Sequence, residues 1–239
     1  MSDTVIFGNV ALSDLFSVVE VKRTPSQPKL ISSTVPGRLG SVAYGRTVGS
    51  ATVAATLIVR DSTAEGRRAA MRQLRVWLDS TEPLPLYLPD DGGAYMLAMV
   101  TALSEARYVG ALAWGVTWTI PEPYLYSPQE STATGLTVHV GGDMSVKPRV
   151  TISGAVRNTS INGIAITDEL GHKMQVPLSS GTHTVVIDCA DDARTAKVDG
   201  ALSMITTSSD WFEFTPGNHT MTLRGTGTVT TAWRERWMV

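Results

Sequence analysis

From residue 136 onward the chain repeats one motif so regularly that few folds can accommodate it: a run of about five strand-forming residues, then a turn. The runs are 136–140 (LTVHV), 149–153 (RVTIS), 164–168 (IAITD), 183–187 (HTVVI), 196–200 (AKVDG), 211–215 (WFEFT), 219–223 (HTMTL) and 228–239 (TVTTAWRERWMV). β-Branched and aromatic residues dominate them, and these fit a pleated, half-buried surface better than a helix. Between them stand Gly141-Gly142-Asp143, Asn162-Gly163, Glu169-Leu170-Gly171, Ser180-Gly181 and Pro216-Gly217-Asn218. Glycine and Asn supply the positive φ that tight turns require, and Pro presets φ for turn entry. No segment in this half has helical period, so the pattern predicts a sandwich or barrel of short strands.

The first half reads differently. Residues 4–10 and 15–22 have strand composition, whereas 24–30 carries Pro25 and Pro28, which remove ladder donors and predict a loop or arm. Val35-Pro36-Gly37-Arg38 is a turn signal. Residues 41–60 are rich in Val, Thr, Ala and Ile around Gly45 and Gly49, which predicts a long hairpin with 51–60 as its second strand. One helix is expected, over residues 64–79, because Ser62-Thr63-Ala64-Glu65 fits a capping box and Ala70, Leu74, Trp77 and Leu78 recur at helical spacing. Pro83 and Pro85 end it. Residues 84–88 and 95–103 then read as strands joined by a hairpin turn at Pro89-Asp90-Asp91-Gly92-Gly93, and 110–120 (GALAWGVTWTI) as one more strand that stops at Pro121-Glu122-Pro123-Tyr124.

The stretch 127–135 (SPQESTATG) is small, polar and aperiodic, as a linker or a solvated first strand would be. A length of 239 residues suits two domains, and the composition shift places them at 1–128 and 129–239. A formal net charge of −2 and a pI near 6.1 offer no basic field for a phosphate backbone, so direct nucleic-acid binding is not expected. No run approaches the roughly 20 apolar residues that cross a bilayer, and no membrane association is expected.

The order of these signals resembles the distal tail proteins and related siphovirus-type tail components of bacteriophages, over nearly the whole chain. In the first half the likeness rests on Val35-Pro36-Gly37-Arg38, the approach to Ile58-Val59-Arg60, the helix end Leu74-Arg75-Val76-Trp77-Leu78, and Glu122-Pro123-Tyr124-Leu125-Tyr126-Ser127-Pro128. In the second half it rests on Lys147-Pro148-Arg149-Val150-Thr151-Ile152, Asn162-Gly163, Val198-Asp199-Gly200, residues 211–218 (WFEFTPGN) and Trp233-Arg234-Glu235-Arg236-Trp237. Leu39 departs from the acidic residue that many relatives carry after Pro-Gly-Arg. The resemblance implies a mainly β protein: an N-terminal β-barrel-type domain with one α-helix, and a C-terminal galectin-like β-sandwich. It further implies a virion protein of the tail tip, made in the host cytoplasm, whose copies form a hexameric ring. That ring would join the tail tube protein, with the tape measure protein at its lumen, to the central fibre or hub protein of the baseplate. Its outer domain would decorate the ring or meet a receptor-binding protein or cell-wall glycan. The arm at 24–39 and the hairpin at 41–60 are the expected contacts between copies, since strand edges pair readily with a neighbour.

Residues that could carry chemistry are few, and no catalytic, cofactor-binding or metal-binding residue is assigned; the protein is read as a non-enzyme without cofactors. Cys189 is the sole cysteine, and with His183 it suggests a nucleophile and base but lacks an orienting third group. Asp188, Asp191, Asp192 and Asp199 resemble no calcium loop and read as a solvated acidic turn. His139, His172, His183 and His219 form no i,i+4 helical pair of the kind zinc hydrolases use, and read as surface or satisfied histidines. Gly225 and Gly227 sit in a Thr-rich strand region, not between a strand and a helix, so they form no phosphate loop. Trp211, Trp233 and Trp237 could stack a sugar, but core packing is the simpler expectation, with Trp211 on the face opposite Phe212 and Trp233 and Trp237 on one face of a terminal strand.

Overall fold

The computed structural model describes residues 4–37, 39–108, 111–190 and 193–239, with the backbone alone at 106–108, 111 and 112. It divides into two compact units, one running to Pro128 and taking back Met238–Val239, the other Gln129–Trp237. Whereas the second domain was expected to run to 239, the last two residues belong to the first unit, where the Val239 N–H donates to the Pro123 carbonyl at 2.9 Å.

The first unit contains β1 (Ile6–Phe7), β2 (Val10–Ala11), β3 (Phe16–Thr24), β4 (Pro28–Thr34), β5 (Ser41–Val48), β6 (Ala51–Val59), α1 (Ala64–Leu78), β7 (Leu84–Tyr87), β8 (Tyr95–Tyr108), β9 (Ala111–Ile120) and β10 (Tyr124–Tyr126). Its main sheet follows the order β2-β1-β7-β8-β9-β6-β3. The 14-residue β8 holds it together: residues 95–98 pair with β7, residues 99–108 with β9, and the register slips between Val100 and Ala102. Such a bulge bends a strand and lets one element serve two parts of a sheet. The sheet stays open rather than closing as a barrel, with β2 and β3 as its ends among the described pairings.

Period-2 burial is strictest in β6, where Ala51, Val53, Ala55 and Leu57 point inward and their neighbours outward. The helix adds Ala70, Leu74 and Leu78, four apart and therefore on one face. They join Phe7, Phe16, Leu86, Met96 and Trp118 in one core, the Phe7 and Trp118 rings 6.0 Å apart. The helix starts at Ala64 as expected, but its cap is Thr63 and not Ser62. Thr63 is the N-cap, its Oγ1 accepting the Gly66 N–H at 3.0 Å, while Asp61 Oδ1 accepts from the Thr63 N–H and hydroxyl at 2.7 and 2.8 Å. The Ser62–Glu65 box therefore does not form, because the third helical position is Gly66.

Two further expectations in this unit are corrected. Residues 41–48 pair with β4, not with β6, whose partners are β3 and β9. The proline-bearing stretch is thus not simply a loop: Pro28 takes the first position of β4, where a missing N–H is tolerated. Residues 89–91 form a 3₁₀ turn ending in a left-handed Gly92, in place of a tight hairpin turn.

The second unit contains β11 (Ser131–Thr134), β12 (Thr137–Val140), β13 (Arg149–Val156), β14 (Gly163–Thr167), β15 (Lys173–Pro177), β16 (Thr182–Asp188), β17 (Thr195–Val198), β18 (Ala201–Ser203), β19 (Gly217–Thr220), β20 (Thr222–Arg224) and β21 (Thr226–Trp233), and the last short strand, β22 (Arg236–Met238), crosses the boundary at Trp237. A six-stranded sheet of order β11-β21-β13-β16-β17-β18 supplies Ile152, Val185, Ile187 and Val229 to one core. The sheet β15-β14-β20 and the pair β12-β19 supply Ile164, Ile166, Met174, Val176 and Val138 to the same core, so the unit is a β-sandwich.

The expected strand at 211–215 is not a ladder strand. Phe212 and Phe214 are buried with their rings stacked at 6.0 Å, but the backbone there makes only one bridge, Val146 with Phe214. Residues 219–223 divide between β19 and β20, which lie in different sheets, and the terminal run breaks after Trp233. Strands β15 and β18 were not foreseen. The Asp199-Gly200 turn joining β17 to β18 has φ of 50° and 83° at its two central residues, the geometry that a two-residue hairpin demands.

Candidate functional site: an exposed apolar hairpin

The strands β4 and β5 form a two-stranded sheet of their own. They pair from Pro28 with Val48 to Thr34 with Ser41, and the step between Ile31 and Ser32 leaves Tyr44 as the extra residue. The Gly49 N–H closes the base on the Gln27 carbonyl at 3.1 Å, and the Ser33 hydroxyl donates to Tyr44 Oη at 3.0 Å. Every residue of β4 and all but Val42 of β5 are exposed. Leu30, Ile31, Val35, Tyr44 and Val48 are 42–67% exposed, and Leu39 at the tip is fully so. Arg38 lies outside the described residues. An isolated two-stranded ribbon is marginal in water, and this one gives up apolar area that the unit's core does not cover. A ribbon of that kind becomes stable when another surface receives it.

The chemistry-bearing residues sit in the second unit and are mostly used for structure. Cys189 is buried and its thiol is pushed up to about 12, chiefly by burial, which leaves it a protonated packing group. It does not join His183. Instead His183 lies between Ser179, whose Oγ is 3.1 Å from Nε2, and Asp199, whose Oδ2 is 2.8 Å from Nδ1. That order matches a nucleophile relay, but such relays bury their carboxylate, and the Asp199 side chain is 56% exposed. Asp199 Oδ1 also accepts the Thr184 N–H at 2.8 Å, and these two bonds, the His183 one foremost, hold its carboxyl below the usual range. The group pins the β17–β18 turn to the start of β16.

A second cluster organises the 168–172 turn. The buried Asp168 accepts the backbone N–H groups of Leu170 and His172 at 3.0 and 2.8 Å and meets His172 Nδ1 at 2.8 Å. Its neighbour Glu169 meets His219 Nδ1 at 2.5 Å and accepts the Thr220 N–H at 3.1 Å, while His219 Nε2 faces the Thr215 carbonyl at 2.6 Å and the ring stacks on Phe214. Desolvation opposes the charge on Glu169, but a hydrogen bond from its own backbone N–H, with those from His219 and Thr220, outweighs it and its carboxyl stays below the ordinary range. His139 meets Asn218 Oδ1 at 2.8 Å. Among the described residues no three His, Cys, Asp or Glu side chains converge as a metal cage; Asp191 and Asp192 of the suggested acidic turn lie outside them. Trp233 is a core residue, Trp211 is half-buried against that core, and Trp237 is half-buried beyond the break that separates it from the Trp233 strand.

Residues 141–237 match the family described as siphovirus-type tail component, C-terminal domain. The match spans most of the second unit. The fold of the whole chain is also that of a distal tail protein: the crystal structure of SPP1 Dit (gp 19.1) superposes with a TM-score of 0.83 over 98% of this chain and 99% of that one, at 16% identity. The phage P2 baseplate in its activated conformation with Ca superposes at 0.55 over 98% of both chains, and the form with Sr at 0.53 over 97% of both, each at 9% identity. Curated proteins give no match. The resemblance read from the sequence is borne out by the family match in the second unit and by the fold of the whole chain.

Proposed function

We propose that the protein is a tail-tip ring subunit, six copies closing into a ring that joins the tail tube to the central hub of the baseplate. Its partners are then the tube protein, the tape measure protein at the lumen and the fibre or hub protein. The observation that carries this reading is the β4–β5 hairpin: a self-contained, exposed apolar ribbon on a chain whose fold, end to end, is that of a protein described as part of a hub adsorption apparatus. A head-to-tail ring needs one surface that reaches out and another that receives it, and a projecting ribbon supplies the first. The sandwich would face partners or a cell-wall glycan at the ring's outside, a secondary reading because Trp233 is committed to the core.

The test is the mass of the purified full-length protein by light scattering across a concentration series. The intact chain is expected to reach six copies, and a variant with residues 28–48 replaced by a short Gly-Ser link is expected to remain a folded monomer. A hexamer that survives the replacement removes the hairpin from the interface, and an intact chain that stays monomeric at every concentration removes self-closure.

A further inference from the structure

One face of α1 bears Arg67, Arg68, Arg72 and Arg75, and between it and the sheet lies a groove of about 460 Å³ that these four arginines line together with Met71 and the half-buried Trp114 of β9. No carboxylate lines it among the described residues. Arg67 donates to the Ser62 carbonyl at 2.5 Å, while Arg68, Arg72 and Arg75 form no ion pair among the described residues. Glu105 lies across the ladder from Trp114, yet it too pairs with none of them. On the other side of the helix a second cavity is lined by Asp14 and Asp61 beside Arg60, so the imbalance is confined to one face.

This concentration works against the helix. Arg68 and Arg72 are four apart, Arg72 and Arg75 three apart, and like charges at those spacings destabilise an isolated helix. Residues 1–128 carry eleven basic and eleven acidic side chains, so the unit is neutral overall while α1 holds four arginines against one acid, Glu65. We propose that this groove is a docking site for an acidic peptide segment of another chain, with at least two carboxylates for the arginines and one apolar side chain for Met71 and Trp114. Arginine pairs with carboxylates through a planar two-pronged fork, and Trp and Arg are the residue types on which interface energy concentrates. A concave groove with an aromatic floor suits a side chain entering from a peptide. A nucleic-acid duplex would have to lie against four arginines spread over about 12 Å of helix axis, on a protein of net charge −2.

The proposal concerns the single unit and stands or falls independently of the ring. The test measures binding of a fluorescein-labelled eight-residue peptide, pairs of glutamate alternating with single leucines, to the full-length protein by anisotropy, with a DNA duplex as competitor. Saturable binding is expected, weakened about tenfold in the Arg68→Gln, Arg72→Gln double variant, whose melting temperature is expected not to fall because both sites are exposed and their mutual repulsion is removed. Replacing leucine by serine in the peptide is expected to weaken it several-fold. Absence of saturable binding, equal binding by the variant, indifference to the leucines, or preferential binding of the duplex would each overturn the proposal.

Discussion

Glu169 and His172 belong to the same corner of the sandwich but respond to pH in opposite ways. Glu169 has its carboxyl lowered from about 4.5, so the stability it contributes is present above that value and is lost as pH falls through the lower, folded value. His172 runs the other way. The hydrogen bond and charge of Asp168 raise its imidazole, so its contribution is complete below about 6.5 and fades as pH rises through the raised value. The His172 side chain is 46% exposed, which water screens, whereas Glu169 holds the buried His219 and the Thr220 N–H. The acid limb should therefore dominate. Between pH 6 and pH 3 the melting temperature of the native protein is expected to fall further than that of Glu169→Gln, the two curves converging in acid. Parallel curves would show that Glu169 titrates no differently in the folded protein.

At the scale of elements, the pairing of β14 with β15 makes a sharper demand than any side chain. Gly163 opposes Pro177, and a Cβ at Gly163 would stand 2.3 Å from the Val176 carbonyl oxygen, a backbone atom that cannot move aside without breaking the ladder. Gly163→Ala is expected to cost about 2 kcal/mol or more and to lower the melting temperature by roughly 10 °C. An unchanged melt would mean that β15 shifts freely. The Asn162-Gly163 turn was legible in the sequence, and Asn162 does take a positive φ of 49°, but the crowding comes from β15, which was not. Lys173, Gln175 and Pro177 diluted the alternation that buries Met174 and Val176. At 211–215 the reverse holds, and aromatic alternation signals burial without a ladder. Periodicity reports which face is buried and says nothing about the partner strand, which is why β5 was assigned to β6 instead of β4. Glu169 and His219 are 50 residues apart, and no local pattern could join them.

For the whole molecule, the separation into two cores has a functional corollary. Each unit has a core of its own, built around Phe7, Phe16 and Trp118 in one and Phe212, Phe214 and Trp233 in the other. The exposed ribbon and the arginine groove both belong to the first, so assembly should be a property of residues 1–128, with the sandwich free to vary in what it presents. Expressed alone, residues 129–237 are expected to fold with a single cooperative melt and to scatter as a monomer with a radius of gyration of about 13 Å. The full chain should still assemble at the same concentration. A fragment that does not fold would show that the sandwich depends on the first unit for its stability. A fragment that forms the same oligomer would move the ring contacts into the sandwich and leave the hairpin without its role.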